Sequence, residues 1–382
     1  MQESFAFRLP QEIYFGPGEG RRVGEHLERF GKRPLVVVGQ RFARESGILE
    51  DVLGSLARYG LEPVVFSGVP PEPTLEVVDE GIRMAREAQC DSVVALGGGS
   101  VLDCGKAVAG VLPNGESVVP YFEGAPLTRP GLPWIALPTT AGTGSEMTNN
   151  AVLTDATRKL KKSLRSPFLV ARVAIIDPTF THSLSPYRTA ASGVDALVQA
   201  IEAYTSPRAN AVTDVLALEA IRLLWEYLPQ AVREGENAFF RKQVAKGSML
   251  SAMAFANASS GACHGLAHMV GPEFAIPHGE ACGLLLPPVI RFNREVLRER
   301  YRDIALCVGL QGGEYEDWGE LLARAFEDFV RRVGLRTRLR DFSVPREALG
   351  RVVREERIGR SILENPRPMA PEDLQALLEE VW

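Results

Sequence analysis

Three of the five histidines in this chain, His264, His268 and His278, fall within one short stretch. His264 and His268 are four apart in Ala262-Cys263-His264-Gly265-Leu266-Ala267-His268, a segment that reads as helix, so they share a face. His278 follows in Pro277-His278-Gly279, a loop entering the next helix. Imidazoles grouped among small and apolar neighbours point to a metal or catalytic site, and imidazole suits zinc, iron and other first-row ions. A carboxylate commonly completes such a site. The best helical candidate is Asp195, in the largely apolar run Gly193-Val194-Asp195-Ala196-Leu197-Val198-Gln199. Burying a carboxylate alone is costly, so Asp195 is expected to have a cationic partner. Gln199 lies one turn on and shares its face. Glu202 is a weaker candidate whose ordinary explanation is a solvated helix face.

Two glycine-rich turns offer a different chemistry. Gly97-Gly98-Gly99-Ser100 directly follows an apolar run and opens a helix, where close backbone approach and unpaired N–H groups suit phosphate oxygens. It is not the spaced G-x-G-x-x-G fingerprint of a standard dinucleotide fold. Asp103 and Lys106 follow on one face of that helix, with solvation as their default explanation. The second turn, Pro138 to Glu146, carries Thr139, Thr140, Thr143 and Ser145 among small residues. Its hydroxyls and amides suit diphosphate or ribose.

These residues need elements to hold them. Apolar runs at 34–38, 63–66, 92–96, 134–137 and 173–176 have buried-strand length, and they alternate with helical patterns at 48–59, 74–88 and 101–111. That alternation implies a parallel sheet covered on both faces. Beyond about Pro186 the periods are helical, at 190–203, 211–227, 239–258, 318–333 and 371–381, with no convincing strand. The expected fold is an α/β N-terminal nucleotide-binding domain over residues 1–184, followed by an all-α metal and substrate domain over 185–382.

Together these segments resemble the iron-containing (group III) alcohol dehydrogenases, whose fold is shared with glycerol dehydrogenase and dehydroquinate synthase. The likeness covers nearly the whole chain. It runs through Phe15-Gly16-Pro17-Gly18, Pro73-Thr74, the Gly97 to Lys106 segment, the Pro138 to Glu146 loop and Thr148-Asn149-Asn150-Ala151-Val152. It continues through Asp177-Pro178, the Asp195 helix, the His264 to Gly279 segment and Asn365-Pro366-Arg367-Pro368. The resemblance implies an NAD(P)-dependent enzyme acting on a small alcohol, aldehyde or ketone, with a divalent iron or zinc ion at Asp195, Gln199, His264 and His278. His268 matches a residue that relays protons. Gln199 stands where the family pattern usually has His, and a neutral amide oxygen is a weaker donor, so affinity for the ion is expected to fall. The cofactor is expected to lie along Gln40, Gly97, Gly98, Gly99, Ser100, Asp103, Thr139, Thr140, Thr143 and Lys162. NAD-preferring members often carry an Asp after the strand at 34–38. Here the stretch is Gly39-Gln40-Arg41, whose guanidinium suits a 2′-phosphate, so NADP is the expected nucleotide.

Composition narrows the field. The chain has 382 residues, and its formal charge of −5 argues against nucleic acid or an anionic membrane as the main partner. No apolar run is long enough for a membrane helix and no secretory signal is evident. Five scattered cysteines without a Cys-x-x-Cys pair fit free thiols in a reducing cytoplasm. The family further implies a homo-oligomer. Three alternatives accompany this reading. One is a metal-independent reductase resembling maleylacetate reductase, and another a nucleotide-binding protein whose chemistry has decayed at Gln199. The third, a lyase resembling dehydroquinate synthase, would need basic residues for a phosphorylated substrate, and Ser251 to Pro288 contains none.

Overall fold

Residues 8–183 are built on six parallel strands: β1 (Glu12–Phe15), β2 (Pro34–Gly39), β3 (Val64–Val69), β4 (Ser92–Gly97), β5 (Trp134–Pro138) and β8 (Val173–Ile176). Their spatial order is β1-β8-β5-β4-β2-β3. This computed structural model describes residues 4–158, 160–313, 316–353 and 358–382. The central strands are buried on both faces, which is why β2 and β4 read as unbroken Val/Leu runs instead of alternating. Helices α1 (Ile48–Arg58), α2 (Leu75–Glu87) and α3 (Gly99–Val111) connect them. Thr74 caps α2 by accepting the Val77 N–H.

All five expected strands form. The structure adds β1 and an antiparallel pair outside the main sheet, β6 (Asn150–Asp155) with β7 (Leu160–Arg165). Both escape the sequence pattern for physical reasons. β1 has only four half-buried residues, and β7 (LKKSLR) is too polar to stand out. Helix α3 begins at Gly99, inside the glycine turn and two residues earlier than expected.

The order β3-β2-β4-β5-β8 reverses direction between β2 and β4. Ligands in open α/β sheets bind at such a point, outside the carboxyl ends of the strands.

Residues 184–382, with the N-terminal segment through Phe7, form a second unit. Its described residues contain no strand. Its main helices are α4 (Pro186–Thr205), α5 (Ala211–Arg233), α6 (Ala238–Ala258), α7 (Ala262–Phe274), α8 (His278–Asn293), α9 (Arg298–Cys307), α10 (Trp318–Arg332) and α11 (Pro371–Glu380). Helix α4 starts on Ser185, whose hydroxyl accepts the Arg188 N–H, with Pro186 at the first helical position. From Gly193 to Thr205 every residue of α4 is buried, so this helix forms the spine of the unit. No described helix is long and apolar enough to cross a membrane.

Candidate metal centre and nucleotide turns

Helix α4 carries Asp195, Gln199 and Glu202 inward, and all three are buried. Helix α7 brings His264 against them and α8 brings His278. A close backbone contact makes the second approach possible. A Cβ on Gly279 would meet the Ala191 carbonyl oxygen of α4 at 2.0 Å, so only glycine lets the start of α8 sit against α4. The first turn of α8 is also pinned by buried Glu280, which accepts from Tyr187 Oη (2.6 Å) and Arg336 Nη2 (2.9 Å).

The resulting cluster is tight. His264 Nε2 lies 3.3 Å from Asp195 Oδ1, and His278 Nε2 lies 3.7 Å from the same oxygen. Gln199 donates its amide Nε2–H to that oxygen at 3.3 Å. The partners expected for Asp195 are these two imidazoles. Glu202 is buried and does not lie on a solvated helix face. Its Oε1 accepts the Cys263 N–H (2.7 Å) and its Oε2 lies 2.5 Å from His264 Nδ1. A carboxylate on Nδ1 fixes the ring and leaves Nε2 facing Asp195, the usual outer support of a metal-binding histidine.

Cys282, one turn after His278, completes the cluster and was not among the sequence candidates. Its Sγ is 3.6 Å from His278 Nε2. The ligand atoms of Asp195, His264, His278 and Cys282 all lie within 4.8 Å of one another. Burial disfavours charge on His264, yet the Cys282 thiolate, Glu202 and Asp195 outweigh it and hold the imidazole pKa well above its ordinary value. His278 is raised in the same way, against burial, by Cys282 and Asp195. Burial likewise opposes the Cys282 thiolate, but a Cys263 contact and the two imidazoles bring the thiol well below its usual range. Anionic donors facing imidazoles form a set that a cation can organise, with the imidazoles neutral.

The donor chemistry fits a divalent first-row ion. Around zinc with ordinary bond lengths, the N–O and N–S edges of a tetrahedron are about 3.4 and about 3.6 Å. The His264–Asp195 separation of 3.3 Å and the His278–Cys282 separation of 3.6 Å match these edges, and the His278–Asp195 separation of 3.7 Å is somewhat longer. His268 stands apart from the donor set. It is half-buried, and its ring stacks on His278 with centroids 5.2 Å apart.

The α/β unit places the two glycine-rich turns side by side. Gly97 of β4 pairs with Pro138 of β5, and Thr139 donates its N–H to the Gly97 carbonyl (3.0 Å). A Cβ on Gly99 would meet Thr143 Oγ1 at 2.6 Å, so the turns pack directly on each other. Gly98 has no side chain to cap α3, which leaves the helix's first N–H groups for a ligand. Ser100 Oγ accepts the Glu72 N–H (3.1 Å). Gln40 and Arg41 are exposed at the end of β2, across the direction switch from Gly97 to Ser100. Lys162 sits on β7, exposed, 3.9 Å from Glu123 and over the Phe122 ring.

Two residues of the glycine-turn helix differ from expectation. Lys106 is fully buried instead of solvated, and Asp103 is buried beside it. Lys106 Nζ donates to Ser145 O (2.7 Å), Ser145 Oγ (3.0 Å), Thr148 Oγ1 (2.9 Å) and Asn150 O (2.8 Å). Asp103 accepts from Ser145 Oγ (2.5 Å) and the Val152 N–H (3.1 Å). Both of its oxygens are thus engaged inside the protein, so Asp103 holds the 145–152 segment on α3.

Comparison with known proteins agrees with this arrangement. The family profile "Iron-containing alcohol dehydrogenase" matches residues 10–178, and "Fe-containing alcohol dehydrogenase family, C-terminal" matches 189–382. The chain is 34% identical to 1,3-propanediol dehydrogenase of Klebsiella pneumoniae, covering 99% of both chains. It is 32% identical to NADPH-dependent butanol dehydrogenase of Clostridium saccharobutylicum, covering 98% of this chain and 97% of that one. A crystal structure of a 1,3-propanediol oxidoreductase superposes with a TM-score of 0.95 at 34% identity over 100% of both chains. With both halves matched and the cluster of α4, α7 and α8 assembled, the chain belongs to the iron-containing alcohol dehydrogenase family.

Proposed function

We propose that this oxidoreductase moves a hydride reversibly between a small alcohol and NADP(H), with a divalent ion held by Asp195, His264 and His278. The observation that carries the reading is the buried Asp195–His264–His278 cluster, backed by Glu202 on the far side of the His264 ring. An ion there supplies Lewis acidity, and bound nicotinamide gives or accepts the hydride.

The chain's own residues divide the remaining work. Residues 8–183 serve as the dinucleotide-binding domain, and residues 184–382 hold the ion and substrate. Gly97, Gly98, Gly99 and Ser100 receive the diphosphate on the start of α3, with Thr139, Thr140 and Thr143 lining the neighbouring turn. Lys162 serves the nicotinamide end. Asp103 serves the cofactor only as a positioning residue, by holding the 145–152 segment on α3. Gln40 and Arg41 lie where the adenosine ribose is expected, and the Arg41 guanidinium favours the 2′-phosphate of NADP. Asp195 orients both imidazoles, Gln199 steadies Asp195, and Glu202 fixes the His264 tautomer. His268, stacked on His278 and partly open to solvent, takes up the alcohol proton at an imidazole nitrogen and passes it outward. The working enzyme is a homo-oligomer in this proposal. Five free cysteines support a cytoplasmic setting.

The test is NADPH and NADH oxidation with a panel of aldehydes and ketones, using metal-loaded and chelated protein. Turnover with at least one carbonyl that falls on chelation supports the proposal. No turnover with any carbonyl, metal supplied, overturns it. Equal turnover after complete metal removal favours the metal-independent reductase, a reading that Gln199 makes specific.

A further inference from the structure

We infer that the fourth protein donor to the ion is the thiolate of Cys282 and not the amide of Gln199. The two-nitrogen, one-oxygen, one-sulfur set so formed favours zinc over iron. The inference rests on the proposed metal site at Asp195, His264 and His278.

Geometry is the first support. His278 and Cys282 are four apart on α8 and so project from the same face. The Sγ to Nε2 separation of 3.6 Å equals the N–S edge of about 3.6 Å expected around a shared zinc. Cys282 is buried, and its sulfur lies within 4.8 Å of the ligand atoms of Asp195 and His264 as well. The amide of Gln199 is engaged differently, donating its N–H to Asp195 Oδ1. In that pose the group it turns to the ligand oxygen is an N–H, which cannot coordinate an ion.

The neighbouring cysteine provides an internal contrast. Cys263 is equally buried, but its Sγ donates to the Cys282 carbonyl oxygen at 3.3 Å, so it ties α7 to α8. It holds the turn of α8 from which Cys282 projects.

Chemistry supplies the second support. A neutral amide oxygen is a weak donor, whereas a thiolate is strong and soft, and softness selects zinc over iron. Coordination breaks the S–H bond of any thiol form and releases that proton to solvent, with no change of oxidation state. The loss of an imidazole at position 199 is therefore offset from another helix.

Cobalt(II) titration of the full-length, metal-free protein tests this by absorbance, independently of activity. The expected result is one cobalt per chain with an intense near-ultraviolet sulfur-to-cobalt charge-transfer band. Cys282→Ser should abolish the band and raise the cobalt Kd by more than about 100-fold, beyond the loss expected for an outer-shell change. Cys263→Ser and Gln199→Ala should keep it. If Cys282→Ser does not fold, the band in wild type and in Cys263→Ser decides the question. Cobalt bound without that band, or a band lost in Cys263→Ser alone, overturns the Cys282 assignment and leaves the three-residue site intact. No cobalt bound at all overturns the metal site itself and this inference with it.

Discussion

Replacing Lys106 with Met keeps the length of the stem and deletes a fully buried charge from the α/β unit. Four donor contacts between 2.7 and 3.0 Å disappear, two of them to main-chain carbonyls. The hydroxyls regain partners locally, because Ser145 already donates to Asp103 and Thr148 to Ser145 O. Asp103 does not recover, since its counter-charge 3.7 Å away is gone. Orphaning one member of a buried ion pair costs about 3–5 kcal/mol. Burial pulls the Lys106 pKa down to about 8 despite Asp103, so the ammonium is itself held at a penalty and some of the loss is relieved. The expected destabilisation is therefore at the lower end, about 3 kcal/mol at pH 7, where the ammonium is still charged. Removing both charges, as Asp103→Asn with Lys106→Met, should recover at least half of it. The penalty should also shrink towards pH 5, because burial already raises the Asp103 pKa and a protonated carboxyl needs no counter-charge. Urea unfolding followed by far-ultraviolet circular dichroism measures the loss, and amide exchange across β4 to β6 locates it. A loss below about 1 kcal/mol at pH 7, or a double variant no better than the single, refutes the pairing of Asp103 with Lys106.

Other outcomes are equally specific. Glu202→Gln should weaken metal binding about 10–100-fold in a competition titration, and a change within threefold would remove Glu202 from its role behind His264. Burial raises the Glu146 carboxyl from 4.5 to about 7, against its own backbone N–H and Lys106. A folded pKa above the unfolded one contributes stability that is complete below pH 4.5 and lost as pH rises through 7. Glu146→Gln should therefore gain on wild type by up to roughly 3 kcal/mol between pH 4.5 and pH 8, whereas parallel pH profiles would contradict the shift. Arg41→Ala should raise the KM for NADPH about 10-fold or more while sparing NADH, from loss of a charged hydrogen bond. Equal effects on both nucleotides would remove the 2′-phosphate contact.

The α/β half was legible because its central strands are buried on both faces and write themselves as continuous Val/Leu runs. What escaped was marginal in burial, namely four-residue β1 and the lysine-bearing β7. The histidines and Asp195 were visible by spacing within helices. Glu202 lies seven residues from Asp195, two turns along the same face, yet a lone acid gives no sign of whether that face meets solvent or another helix. Cys282 offered the same i, i+4 signal with His278 that drew attention to His264 and His268. It was overlooked because buried cysteine is usually inert packing. Lys106 was misread for the converse reason. Its burial depends on carbonyls of the 145–150 segment, some forty residues on, which no local pattern announces.

The edge of the main sheet sets a schedule for biosynthesis. Among the described residues β1 pairs with β8 alone, and the Gly18 and Gly20 N–H groups close on Asp177 Oδ2 across 159 and 157 residues. Closing a chain of that length costs about 4–5 kcal/mol of entropy before any contact repays it. At ribosomal rates, β1 waits roughly eight to thirty seconds for β8 to be made. For about the last two to seven seconds of that interval β5 is already made and its edge, later covered by β8, is open to any other strand. The newly made chain is therefore most prone to mispairing just before residue 176 emerges, and a nascent chain truncated ahead of β8 should engage chaperones that one extended beyond Asp177 no longer needs.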